Sequence, residues 1–522
     1  MKSAYSPSFE DQDVFRRPDL LYSQAKQELI SRAWLALDHG DVERQLTDLA
    51  REVVRELLQS HLTLRGQAEA LAPVVGTDGE ERTHVRRGET RQLKTTFGPV
   101  RVSRTAYSGR SQTSLHPVDA DLNLPANAFS HEVQRLGTLG AVQLSYERAA
   151  EFLRKSTGAH VAKRQLESIV SSAAVDFDSF YELRRWCPDL LKETGPFLVL
   201  SFDQKGIVVK HHELRAKTRR IAEGSRPRIR AVNKRNGKKR WRGKKRMATV
   251  GVVYSIQPDH RTPTDVVRGL RRLTVKTGRH QRTVQAEHKR VLASLERTAQ
   301  EVISDGFSEA LSRDPHQGKT WFVLVDGDPE LRTWVMAEAE KRGVKVTLVL
   351  DVIHALQYLW GAGEALCGKD ETSVEAWVLP RLERILAGKV SDVVAGMRRA
   401  ATKLGLTRSQ RKAVDKCANY YLKRKEMMRY GELLAVGAPI ATGAIEGSCK
   451  HLINDRCDLC GARWTVKGAE AILKLRATFI SGDFDEYWKY HEGEERKRNH
   501  ESRYLEGRPT PVGTRGHLRA IK

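Results

Sequence analysis

Two runs, PFLVLSF at 196–202 and WFVLV at 321–325, each end directly on an aspartate, Asp203 and Asp326. Apolar runs this short and this continuous read as strands buried on both faces rather than as helices. A carboxylate at the tip of a buried strand is costly unless something compensates its charge. Any fold for this chain must therefore bring a partner to those two sheet positions.

The segments around them set the organisation. GIVVK (206–210) reads as a second strand, MATVGVVYSIQ (247–257) as a third, WFVLV as a fourth and VKVTLVL (344–350) as a fifth. QAEHKRVLASLERTAQEVIS (285–304) reads as a helix. PELRTWVMAEAEKRG (329–343) is a second helix, opened by Pro329 and closed by Gly343. Asp351 opens the next one. Residues 371–438 read as wholly helical, 441–480 as one or two helices, and the charged tail from His491 as disordered.

Upstream, residues 1–20 read as mobile and 23–72 as helical. There Val42, Leu46, Leu49, Val53 and Leu57 make a stripe expected to face a partner. Residues 90–107 read as a hairpin around Phe97-Gly98-Pro99, and HPVDADLNLP (116–125) as an extended connector. Residues 145–174 give two helices broken at Thr157-Gly158, with Lys163 and Arg164 near the start of the second. That is either a DNA-binding helix-turn-helix or an ordinary helical hairpin. The expected parts are a helical region (1–89), the hairpin and connector (90–125), a helical region (126–190), a catalytic core (191–370 and 441–490) interrupted by a helical insertion (371–440), and a tail (491–522).

Three hairpin-like strands followed by alternating helices and strands predict a ribonuclease H-like α/β core with a mixed sheet. In that architecture the first and fourth strands are neighbours, so Asp203 and Asp326 converge. Two carboxylates held together repel unless a cation lies between them. Mg²⁺ or Mn²⁺, hard and oxygen-seeking, is the expected occupant, as two ions. Asp328, directly before Pro329, is the better helix cap, which leaves Asp326 for the metal. The candidate third carboxylate is Glu446, in ATGAIEGSCKHLINDR (441–456), flanked by small residues that allow close approach to the sheet.

The formal net charge of +25 favours a polyanionic partner, nucleic acid foremost. Residues 205–246 carry 18 Lys/Arg against two Glu, too dense a charge to pack as core. Within it, Lys234, Arg235, Lys238, Lys239, Arg240, Arg242, Lys244, Lys245 and Arg246 are candidate phosphate contacts. Arg463-Trp464 could bind phosphate or stack on a base, or the indole could be core with the arginine outward. Cys457 and Cys460 form one CxxC with no second pair, so they read as incidental thiols rather than a zinc ribbon. No apolar run reaches a membrane span, the first residues (MKSAYSPSFEDQD) lack a signal-peptide core, and six cysteines make no disulfide framework. A reduced cytoplasmic protein, associated with the nucleoid when bound to DNA, is expected.

These segments together resemble the DDE transposases of bacterial insertion sequences, in particular the ISKra-four family. The resemblance runs from about residue 90 to 490. It is carried by LSFDQKG (200–206), VLVDGDPELRTWV (323–335), LVLDVIHALQYLW (348–360) and, most specifically, GAIEGSCKHLINDRCDLCGARWTVKGAEAILKLRA (443–477). It implies a catalytic triad of Asp203, Asp326 and Glu446, metal-dependent cleavage and strand transfer, binding of terminal inverted repeats and target DNA, and a homodimer or larger assembly for synapsis. Gln204 departs from the family, which often has Gly there. Asp351 and His354, an i,i+3 pair, look like the Cys/Asp-x-x-His element of related transposases, either near the scissile phosphate or pinning their own helix. A nuclease of the same fold without strand transfer, and a DNA-binding descendant with a dead site, are the rival readings.

Overall fold

The computed structural model describes residues 14–67, 73–185, 194–224, 229–230, 240–241, 245–272, 285–441, 447 and 450–509. They fall into two units, Met1–Asp176 with Asp485–Lys522, and Phe177–Phe484.

In the first unit, α1 (Arg16–Leu29) precedes the long helix α2 (His39–Gln67), which lies on β2 of an antiparallel hairpin, β1 (His84–Thr95) and β2 (Gly98–Ser108). The turn forms where expected. Gly98 has φ of +126°, and Thr95 Oγ1 donates to its carbonyl at 2.8 Å. Leu62, Leu93, Val100, Val102, Val118 and Leu124 close the core between helix and hairpin. Of the expected stripe on α2, Leu46 and Leu57 stay exposed within this chain. The connector is not simply extended, because Pro117–Asp121 forms a short helix with Pro117 at its first position. Pro fits there since its missing N–H has no helical partner to lose.

Three helices follow: α3 (His131–Gln143), α4 (Tyr146–Ser156) and α5 (Lys163–Ala173), packed on one another. Ser130 and Ser145 cap the first two through their hydroxyls. The break at Gly158 is a close approach: a Cβ there would lie 2.6 Å from the Phe97 main chain, and Gly158 N–H donates to the Thr96 carbonyl at 2.6 Å. From His491 the chain is not disordered as expected. It continues the helix Phe484–Asn499 and then turns through Gly507. The charged composition there conceals Tyr487 and Trp488, both buried, and a buried Asp176–His491 pair that an exposed Arg498 joins. In it the Asp176 carboxylate accepts from His491 Nδ1 at 2.6 Å and from both terminal nitrogens of Arg498 at 2.6 and 2.9 Å. Burial pushes the Asp176 pKa up, but the His491 and Arg498 bonds and the arginine's charge outweigh it and hold it below the usual range. Residues 510–522 lie outside the described residues.

The second unit is built on a five-stranded mixed sheet. Its strands are β3 (Phe197–Val208), β4 (Lys245–Ile256), β5 (Glu287–Ser294), β6 (Thr320–Val325) and β7 (Val346–Leu350), in the order β5-β4-β3-β6-β7. β4 runs antiparallel to both neighbours, while β6 and β7 continue parallel to β3. Two expectations are corrected. Residues 196–203 and 206–210 are one strand, because Asp203 to Gly206 pair without interruption with Val250 to Met247. Residues 285–304 are not one helix: β5 ends at Ser294, and α6 (Ala299–Arg313) starts after a capping box formed by Thr298 and Glu301. The apolar run VLAS and the capping pair together mimic one continuous helical period.

α6 packs over β3, β4 and β5. Phe202 fills the space between, close enough that a Cβ on Gly251 or Gly306 would lie 2.9 or 2.7 Å from its ring. Side chains alternate along a strand, so Asp203 faces away from α6. α7 (Pro329–Lys341) follows β6, and α8 (Val352–Cys367) follows β7. The stretch expected to be helical holds α9 (Glu371–Leu386), α10 (Val390–Lys403) and α11 (Arg408–Arg424), then the short helix Tyr430–Ala435. α12 (Val466–Ser481) packs on β5. Among the described residues no helix is long and apolar enough to cross a membrane.

Candidate active site

The parallel ladders fix the geometry. Ser201 pairs with Leu324, and Leu324 with Val349. Counting two residues on along each strand puts Asp203, Asp326 and Asp351 at one level across three neighbouring strands. The Asp351 N–H donates to the Val325 carbonyl at 2.9 Å, which holds that level beyond the last ladder pair. Adjacent strands lie about 4.8 Å apart, so the first two carboxyl groups are close neighbours.

Their electrostatics agree. Asp326 is half-buried, and its pKa is raised, first by burial and then by the Asp203 charge, against the lowering bond from Asp328 N–H. Asp203 is partly compensated by Lys205 Nζ at 3.6 Å and accepts from Gln204 N–H at 2.6 Å. Gln204 thus takes part through its main chain. Asp328 caps α7 by accepting from Glu330 and Leu331 N–H, as the spacing predicts, so Asp326 is not the cap.

Asp351 is buried. It accepts from Ile353 N–H at 2.9 Å and pairs with His354 Nδ1 at 3.0 Å. The Asp351 hydrogen bond raises the His354 pKa, and the charges of Asp351, Asp326 and Asp203 add to it. The pair therefore both pins the start of α8 and sets an imidazole within the field of the other two aspartates.

The turn after β6 is held from α11. Tyr420 Oη donates to the Asp326 carbonyl at 2.6 Å, and Arg424 Nε to the Gly327 carbonyl at 2.8 Å. Tyr420 stacks on Tyr358 of α8 with centroids 3.8 Å apart, and Arg424 lies over the Tyr420 ring. None of these residues was singled out from the sequence. The signal available was Tyr420 and Arg424 at i,i+4 on a helix, and a glycine between two aspartates.

Glu446 lies outside the described residues. Its described flanks dock at the same end of the sheet. Ile440 O accepts from Val352 N–H beside Asp351, and Trp464 exchanges main-chain bonds with Val208 and Lys210 past the end of β3. Among the described residues no group of three His, Cys, Asp or Glu side chains is placed to hold a metal ion. The fit of a divalent ion rests on Asp203 and Asp326, whose mutual repulsion it would relieve.

Of the nucleic-acid candidates, Lys163 and Arg164 are exposed at the start of α5, and Lys245 is exposed at the start of β4. Arg246 is half-buried, donating to the Leu295 and Glu213 carbonyls. Arg240 lies in a two-residue ladder pairing Ile229–Arg230 with Arg240–Trp241. Lys234, Arg235, Lys238, Lys239, Arg242 and Lys244 lie outside the described residues. Arg463 is exposed, whereas Trp464 is buried, its Nε1 donating to the Cys457 carbonyl at 3.0 Å beneath the Arg456 guanidinium. The indole is core with the arginine outward, and is not open to a base. The Cys457 thiol is buried, and burial pushes its pKa up to about 12, unlike a metal-ligating thiolate.

No family model matches the sequence, and no curated protein matches it. Among solved structures the chain is similar to the Drosophila P element transposase strand transfer complex, at 9% identity and a TM-score of 0.25, covering 76% of this chain and 86% of that one. Similarity at that level fixes neither fold nor function.

Proposed function

We propose that this chain is a metal-dependent transposase of the DDE kind, akin to the ISKra-four insertion-sequence family. The observation that carries the reading is the equal register of Asp203 and Asp326 on adjacent parallel strands, with the Asp326 pKa raised. The sheet order supports it: taking β3 as strand one, the order is 3-2-1-4-5 with strand two antiparallel, the arrangement of a ribonuclease H-like sheet.

Asp203 and Asp326 would hold Mg²⁺ or Mn²⁺, with Glu446 as the third carboxylate. A pair of such ions supplies activation of an attacking hydroxyl and charge stabilisation at the leaving oxygen. The chain's own part is to keep the two carboxylates level and rigid on a buried sheet. His354, fixed by Asp351, adds a proton-carrying group beside them. Hydrolysis of a phosphodiester at an element end would free a 3′-OH. That hydroxyl would then attack a target phosphodiester, forming one P–O bond as another breaks, with the departing oxygen taking up a proton. Lys163, Arg164, the basic residues of 205–246 and Arg463 would meet the DNA backbone, and two protomers or more would hold paired ends.

The test is to incubate the protein with the DNA flanking its gene and Mg²⁺ or Mn²⁺, beside Asp326→Asn, and map new 3′ ends and joined products. Discrete ends and joints absent from the variant support the reading. Ends without joints reduce it to a nuclease, and binding without cutting refutes it in favour of a DNA-binding protein with a dead site.

A further inference from the structure

The long helical stretch between Asp326 and the C-terminal helices is tied to the site by hydroxyls and a guanidinium that donate to main-chain carbonyls. Tyr420 Oη donates to Asp326, Tyr421 Oη to Ala355 at 2.7 Å, and Tyr430 Oη to Leu350 at 2.9 Å. These carbonyls lie just past β6, in the first turn of α8, and at the end of β7. All three phenol pKa values are raised, chiefly by burial, so the phenols remain donors throughout the neutral range.

The tightest of these ties is at the Asp326-Gly327 turn. Gly327 has φ of +88°, and a Cβ there would lie 2.4 Å from Arg424 Nε and 2.9 Å from Tyr420 Oη. Only a glycine lets the guanidinium reach that carbonyl in this backbone conformation. Arg424 is in turn stacked 4.1 Å over the Tyr420 ring, and Tyr420 is stacked on Tyr358. The side chain of Asp326 is meanwhile held by Asp328 N–H at 2.9 Å. The turn is thus gripped at both of its carbonyls from one helix and at its carboxylate from within.

We infer that Tyr420 and Arg424 of the helical insertion are positioning residues for Asp326, clamping the Asp326-Gly327 turn so that its carboxylate meets a divalent cation in a fixed place. The insertion is therefore part of the metal site rather than a module attached beside it. The inference rests on the metal-binding reading of Asp203 and Asp326. Partners outside the ligand set that orient a ligand typically change metal affinity by about 10–100-fold when removed.

The experiment is Mn²⁺ binding by the full-length protein, read by calorimetry or by the EPR signal of free Mn²⁺, which does not depend on DNA cleavage. Wild type, Asp326→Asn, Tyr420→Phe, Arg424→Met and Arg424→Lys are compared, with melting temperatures taken without metal. Tyr420→Phe and Arg424→Met should each weaken Mn²⁺ binding about tenfold, with a small shift in melting temperature and partial recovery in Arg424→Lys. In a cleavage assay the loss should appear as a higher Mn²⁺ requirement, with the rate regained at saturating metal. If wild type binds Mn²⁺ and Asp326→Asn does not, while both clamp variants bind like wild type, the clamp is refuted and the metal site stands. Loss of affinity only in step with loss of the folded state, with no recovery in Arg424→Lys relative to Arg424→Met, also refutes it. If wild type shows no binding that Asp326→Asn abolishes, the metal reading falls and the positioning role falls with it.

Discussion

Replacing Asp326 by Asn separates a metal ligand from a structural carboxylate, because the two roles predict opposite changes in stability. Asn keeps an oxygen to accept from Asp328 N–H, the 2.9 Å bond that orders the turn. What it removes is a negative charge level with Asp203 on the next strand. Unit charges about 5 Å apart repel by about 3 kcal/mol at an effective dielectric of about 20, and by under about 1 kcal/mol at that of water. Both groups are half-buried, and Lys205 offsets part of the Asp203 charge, so relief of about 1–2 kcal/mol is the appropriate scale. For the roughly 300 residues of the second unit, at about 2.1 cal/mol/K per residue, that raises the metal-free melting temperature by about 2–3 °C. Mn²⁺ at about 100 times its dissociation constant should stabilise the wild type by about 2.7 kcal/mol, or about 4 °C, and the variant by almost nothing. The assay is differential scanning fluorimetry with and without Mn²⁺, beside the cleavage assay, in which the variant should lose about a hundred- to a thousandfold in rate, the scale of an essential electrostatic group. A variant less stable than wild type without metal, or equally stabilised by Mn²⁺, would refute the reasoning.

Three further outcomes are expected. Gly327→Ala should lower the melting temperature of the second unit, since a side chain at φ of +88° costs about 1–2 kcal/mol before the encounter with Arg424, and thermal denaturation checks it. Asp176→Asn should destabilise the first unit by about 3 kcal/mol at neutral pH. Because the folded Asp176 pKa is depressed, that contribution is present above the ordinary carboxylate value and disappears as pH falls through the folded one, so urea melts of the two proteins should converge in acid. Replacing Lys238, Lys239, Arg240 and Lys244 together by Ala should flatten the log–log salt dependence of DNA binding by about 3–4 units, at about 0.9 per lost phosphate contact; an unchanged slope would remove that segment from the interface.

β4, β6 and β7, and the positions of Asp203 and Asp326, were legible because a buried strand leaves a continuous apolar run that a carboxylate visibly interrupts, although only Asp326 stands at a strand's end. The Asp328 cap was legible for a similar reason, since Pro329 marks the first turn of α7. The strand β5 was not, because EHKRVLAS followed by a charged linker and a true helix start presents one apparent helical period across a boundary. The first strand was cut in two at Gln204-Lys205, where polar residues look like a turn although their main chains stay paired with β4. The ordered C-terminal helix was hidden by its own charge: Asp176, more than 300 residues away in sequence, is the partner of buried His491.

The clamp on Asp326 was unreadable for a deeper reason. A hydrogen bond to a main-chain carbonyl leaves no trace in the identity of the accepting residue, so nothing about Asp326 or Gly327 points to α11. The donors carry no clearer mark, since tyrosine and arginine four residues apart on a helix are common. What the sequence does hold is a constraint by exclusion, the glycine whose missing side chain makes room for Arg424. The order of the sheet explains why such support has to come from far along the chain. β3, β6 and β7 are parallel, so Asp326 and Asp351 emerge where β6 and β7 stop, level with Asp203, which β4 still braces; past Val325 and Leu350 no further strand holds the chain. Rigidity there must be supplied by segments that fold back over that end, and α11 and the helix Tyr430–Ala435 do so through Tyr420, Tyr421, Arg424 and Tyr430.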